Sequence, residues 1–127
     1  MRIRLETDAC SLIRQHIQNG QYTIIVSPVH FREVAAIEET REQTEVAALL
    51  HRYGITPSCD LGSVRKRAEA LQARRFGVAD AAHVAFAEAT ADVFITSDDR
   101  LIRQCRRASV RVRAMSPINF CLTEDLR

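Results

Sequence analysis

The stretch from Gly77 to Leu101 limits the folds open to this chain more than any other. An Ala-rich segment with Val84, Phe86 and Ala87 reads as a helix. A short turn comes next, then the β-branched and apolar run Asp92–Thr96, then the acid pair Asp98 and Asp99. Asp80 stands at the start of the helix and Asp98 just past the strand. A parallel α/β fold gathers such positions at the carboxyl edge of its sheet, where open sheets bind ligands. Acids meeting there suit a hard divalent cation, which prefers oxygen donors.

The rest of the chain fits that frame. Leu5, Ala9, Leu12, Ile13, His16 and Ile17 recur at helical spacing, and Asn19-Gly20 ends the segment as a C-cap would. Tyr22–Val26 is continuously apolar, as a strand covered on both faces is. Ser27-Pro28 opens a helix carrying Val29, Phe31, Glu33, Val34 and Ile37. A further helix is predicted from Thr40 to Tyr53, stopped by Gly54, with Ile55 and Thr56 extended. Asp60 or Ser63 caps the next, which reaches Arg75 with Val64, Ala68 and Leu71 inward, and Phe76-Gly77 breaks it. Asp98 or Asp99 caps a short helix with Leu101 and Ile102. Val110–Ala114 alternates as a last strand near an edge, and Ser116-Pro117 begins a terminal turn or helix around Phe120. Strands alternating with helices argue for α/β with a parallel sheet.

With 127 residues the chain is long enough for one domain with a real core. No apolar run nears the ~20 residues that span a bilayer, and no signal-peptide pattern opens the chain, so a cytoplasmic protein with no membrane contact is expected. Cys10, Cys59, Cys105 and Cys121 are far apart and make no C-x-x-C pair, which argues against zinc. The net charge of +2 divides into −2 over residues 1–62 and +4 over residues 63–127. Seventeen of the eighteen basic residues are Arg, whose planar fork suits phosphates. A nucleic-acid partner gains from this, although composition alone favours a solvated Arg-rich surface. The four Gly residues do not cluster, so phosphate-cradling loops and dinucleotide fingerprints are absent, as is a Gly-x-Ser-x-Gly elbow.

Three segments, Ser27–Glu33, Val78–Ala87 and Phe94–Leu101, resemble three motif regions of PIN domains, a family that includes VapC-type toxins of toxin–antitoxin pairs. The ending Val110-Arg-Val through Ser116-Pro-Ile-Asn-Phe120 is similar to the last strand and turn of that fold. The likeness covers roughly residues 22–121, and the central pair of motifs is its most specific part. The resemblance implies a three-layer α/β/α fold with a small parallel sheet, and a ribonuclease that cuts RNA phosphodiesters with Mg²⁺ or Mn²⁺. Glu33, Asp80 and Asp98 match its catalytic and metal-binding acids, Asp99 adds a further acid, and Thr96 matches the hydroxyl residue before the last acid. The partners implied are RNA and a cognate antitoxin protein.

The departure lies at the front, where a PIN domain begins with a strand ending in Asp. Either Arg2–Asp8 mimics that strand with Glu6 in the ligand's place, or residues 1–19 are the helix that should come after it and the first strand is missing. The helical stripe from Leu5 favours the second reading: a single domain over residues 1–127, truncated at its N-terminus. Unmatched sheet edges would then invite a second chain, a homodimer among the options.

Each residue also has a plainer reading. Asp80 and Asp98 serve equally as helix N-caps, each worth ~1 kcal/mol; Glu33 and Asp99 as solvated acids; His83 as a packing or hydrogen-bonding residue. His16, His30 and His51 make no metal spacing. Arg100, Arg103, Arg106 and Arg107 either hold RNA phosphates or form a solvated helix face. Two functions are open on this pattern: the metal-dependent endoribonuclease, and a catalytically impaired remnant that binds RNA or protein.

Overall fold

A computed structural model describes residues 2–127, apart from the side chains of residues 2–6, Phe31 and Glu42. The expectations placed on the side chains of Leu5, Glu6 and Phe31 lie outside the described residues. The elements run α1 (Arg2–Gln18), β1 (Ile24–Ile25), α2 (Pro28–Ala35), α3 (Thr40–Tyr53), β2 (Gly54–Ile55), α4 (Leu61–Ala73), α5 (Val78–Thr90), β3 (Val93–Ile95), α6 (Asp99–Arg107), β4 (Arg113–Met115) and α7 (Pro117–Thr123). The opening is helical from Arg2, so the alternative of a strand over Arg2–Asp8 does not hold. No helix among the described residues is long and apolar enough to cross a membrane.

β1 pairs in parallel with β2, and β3 in parallel with β4. Parallel strands need a long crossover, which α2 and α3 supply for the first pair and α6 for the second. The parallel α/β reading holds, with one correction: the strands form two separate pairs, not one sheet. A groove of ≈ 840 Å³ lies against both pairs, lined by Ile24 and Ile25 of β1, Val93 and Ile95 of β3, Ile17 of α1 and Ala87 of α5.

The main core lies under α4, α5 and α6. Ala68 and Leu71 meet Ala81, Val84 and Ala85, with Phe76, Leu101, Cys105 and Ala108 closing the cluster. α1 packs on α7, and Tyr22, just past α1, sets its ring edge-on to Phe120 at 5.2 Å. All four cysteines stand outside any disulfide; burial among the core residues pushes the Cys105 thiol up to about 11.

Most helix starts agree with the sequence, but α5 starts at Val78 and not at Asp80, and the end of α4 also differs. Ser27, Asp60, Asp98 and Ser116 each accept a backbone N–H at the start of a helix. Four helices end in the same reverse turn, in which the second residue past the helix takes a left-handed backbone: Gly20, Arg75, Ser109 and Asp125. At α4 the Phe76 N–H reaches the Leu71 carbonyl and the Arg75 N–H reaches Gln72. The helix therefore stops at Ala73, not Arg75, and the turn is made by Arg75. Gly77 instead becomes the N-cap of α5. The last strand also shifts, from Val110–Ala114 to Arg113–Met115, because Val112 turns inward and the Arg111 N–H donates to Glu88 Oε2 at 2.8 Å.

Glu88 joins three segments. Its side chain is 5% exposed and accepts from Arg67 Nε at 2.8 Å as well as from Arg111. Burial alone would raise its carboxyl, but the Arg67 and Arg111 donors outweigh burial and hold it below its ordinary value. A lowered carboxylate contributes stability above its unfolded-state value, and that contribution is lost as pH falls through the folded one. Glu88→Gln is expected to cost about 2 kcal/mol at neutral pH, with the deficit shrinking in acid, as read by urea denaturation at several pH values. Gly54 sits where an added Cβ would strike the Leu50 carbonyl and the Val26 side chain. Gly54→Ala should therefore cost about 1–3 kcal/mol in the same assay, the usual penalty of overpacking.

Candidate functional site

The two parallel pairs turn β1 and β3 so that the segment after each strand reaches the start of α5. After β1, Ser27 caps α2 and is almost wholly buried. His30 Nδ1 accepts the Ser27 N–H at 2.8 Å, and Ser27 Oγ accepts the His30 N–H at 3.4 Å. This is a capping box with histidine where Glu or Gln is usual. Accepting at Nδ1 places the His30 ring proton on Nε2. Burial, then the neighbouring His83, push the His30 pKa down against a smaller upward pull from Glu33.

Glu33, one turn further along α2, lies with Oε1 2.8 Å from His83 Nε2 on α5. The His30 and His83 rings are 4.5 Å apart between centroids. The His83 side chain is 10% exposed, and its Nδ1 is buried with no hydrogen-bond partner among the described residues. Asp80 precedes His83 by three residues and so shares its helix face.

Asp80 is the third residue of α5, not its cap, because Gly77 holds that place. No hydrogen bond spends its carboxylate among the described residues, and the N-cap reading fails. Its pKa is raised, first by burial, then by the charge of Asp98 and to a smaller degree by Glu33, with His83 pulling the other way. Asp98 is the cap of α6: its Oδ1 accepts the Leu101 N–H at 3.1 Å. Thr96 Oγ1 accepts the Asp98 N–H at 3.1 Å, which fixes the turn carrying that acid.

Glu33 and Asp98 are thus both within reach of the charge of Asp80. Asp99 is exposed as the first residue of α6 and is not among the charges acting on Asp80. Among the described residues no three His, Cys, Asp or Glu side chains converge into a complete metal-ligand set. Glu33 is engaged by His83, and one oxygen of Asp98 by its cap. The donors themselves are oxygens, the type a hard dication takes, and the crowding at Asp80 is of the kind a cation relieves. The residues fit such an ion in chemistry, while the arrangement stays open. Arg100 and Arg103 line a separate cleft with Arg74, Arg75 and Arg107.

The sequence did not single out His30 or reveal the contact of His83 with Glu33. A signal existed for each: His30 stands at capping-box spacing after Ser27, and His83 one turn past Asp80.

A raised carboxylate favours the fold while protonated, and that advantage is lost as pH rises through the folded value. Asp80→Asn is therefore expected to raise the melting temperature of the metal-free protein at neutral pH and to make no difference in acid. Calorimetry across that range checks it.

Residues 7–107 match the PIN domain family. No curated protein and no solved structure matches the chain. The family match takes in most of the chain, with Glu33, Asp80, Thr96 and Asp98 inside it, and the fold is the helix-rich parallel α/β type that goes with it: this chain belongs to the PIN domain family.

Proposed function

We propose that this protein is a metal-dependent endoribonuclease that hydrolyses RNA phosphodiester bonds. PIN domains are nucleases as a class, and the observation that carries the reading for this chain is the charge crowding at Asp80. A carboxylate half-withdrawn from water beside two others is costly unless a cation shares the space. Asp80, Asp98 and Glu33 are the residues that would hold Mg²⁺ or Mn²⁺. When bound, such an ion supplies positive charge at the scissile phosphate and acidifies water there.

The remaining chemistry belongs to the chain. Thr96 holds the turn that presents Asp98. His83 holds Glu33 through Nε2, in the manner of outer partners that orient metal-binding acids. The burial of Ser27 and the tilted His30–His83 ring contact support the α2–α5 packing on which that bond depends.

RNA cleavage is expected with Mn²⁺, to be abolished by chelator, and to fall by on the order of 100-fold in Asp80→Asn or Asp98→Asn. His83→Gln should cost about 10-fold. A labelled RNA on a denaturing gel reads all four, and cleavage that survives chelation would sink the mechanism.

The open ligand arrangement favours a second reading, a PIN domain that binds RNA or protein without cutting. Calorimetric titration of folded protein with Mn²⁺ separates the two, because the binder should take up no heat-detectable ion at millimolar metal. The finer role, a toxin acting on cytoplasmic RNA and silenced by an antitoxin, rests on the VapC-type likeness of the motifs. Its signature is growth arrest on expression that Asp98→Asn relieves.

A further inference from the structure

Five arginines meet in one cleft of ≈ 460 Å³: Arg74 and Arg75 at the end of α4, and Arg100, Arg103 and Arg107 along α6. Arg74 is partly spent, since its guanidinium donates to the carbonyls of Arg107 and Ala108 at 3.3 and 3.4 Å. Arg75, Arg100, Arg103 and Arg107 have no ion-pair partner among the described residues; the arginine pairs there engage Arg41, Arg65, Arg67 and Arg127. Single exposed arginines need no counter-charge. Several in one concavity raise each other's potential, and the recess focuses that field on whatever enters.

The backbone contributes a second observation. Arg75 has φ 71°, in a position where helices usually place glycine. Gln104 Nε2 donates to the Arg75 carbonyl at 3.3 Å and ties this left-handed residue to α6. The turn therefore delivers a guanidinium to the cleft from a backbone conformation that side chains rarely adopt.

Size and spacing point to the ligand. Arg100, Arg103 and Arg107 fall on one stripe of α6 that spans about 10 Å at the helical rise. That exceeds a single phosphate and matches a run of them. The stripe begins just past Asp98, the acid at the start of the same helix. We infer that this cleft takes the phosphodiester backbone of single-stranded RNA and leads it to the acids. Guanidinium forks pair with phosphate oxygens, and contacts to phosphate alone carry no base preference. The inference rests on the endoribonuclease reading for its choice of RNA.

The test is fluorescence anisotropy with a labelled single-stranded RNA of ~12 nucleotides, within the site sizes of such proteins, in EDTA so that nothing is cut. Arg103→Gln with Arg107→Gln should lower the slope of log affinity against log salt by about 1.4, at ~0.7 per lost phosphate contact. Between 50 and 200 mM salt the parent then loses about sevenfold more affinity than this variant. Arg41→Gln with Arg65→Gln removes the same charge elsewhere and should leave the slope unchanged. Arg75→Gly should weaken binding while the melting temperature stays level or rises, which separates a ligand role from a structural one. Cleft variants that match the Arg41/Arg65 pair in slope and affinity would overturn the inference. RNA held through the cleft but never cut with Mn²⁺ keeps the inference and removes the nuclease. Parental cleavage with an unchanged slope does the reverse.

Discussion

Parallel pairing is the constraint on which this molecule depends. A parallel pair cannot close with a tight turn, so each pair here carries a helical crossover, and each crossover starts at the carboxyl end of its first strand. That rule sends α2 away from β1 with Glu33 on it, and α6 away from β3 with Asp98 at its cap. α5 packs against α2 and β3 and brings Asp80 into the field of both acids. Three residues far apart in sequence come to share one field because of strand direction and not because of any contact among themselves.

Their meeting works against the fold. Burial and like charge both disfavour the ionised form of Asp80, and the neighbourhood compensates only in part. His83 supplies the offsetting interaction, yet its Nδ1 is left buried without a partner among the described residues. Strain of this kind, electrostatic in this case, gathers where proteins do chemistry. Along α6 the imbalance has the opposite sign, with Arg100, Arg103 and Arg107 lacking ion-pair partners among the described residues.

Local signals were legible in the sequence and long-range meetings were not. Thr40–Tyr53 matches its expected span to the residue, because a periodic apolar stripe and a stopping glycine are both written locally. The same is true of the Asp60 and Ser27 caps. The acids of the candidate site were legible as candidates because each lies within a short motif. The end of α4 was misread because left-handed backbone is the habit of glycine, and the sequence offers Gly77 two places beyond the residue that adopts it. Val110–Ala114 alternates like a strand, but a main-chain bond to Glu88 claims its second residue first. The bond between His83 and Glu33 arises from how α2 lies on α5, which no window of the sequence contains.

The division of the strands into two pairs has a consequence for where the molecule is firm. Along a parallel strand, successive residues turn their main-chain groups to alternate sides. The Val26 N–H goes outward to Ile55 and the Thr96 N–H to Met115, so Ile25 and Ile95 turn theirs the other way, off their own pairs. In a closed sheet such inner amides would be the slowest in the protein to exchange with water. Here Ile25 and Ile95 line the groove that lies against both pairs, so their amides are expected to exchange faster than those inside a closed sheet would.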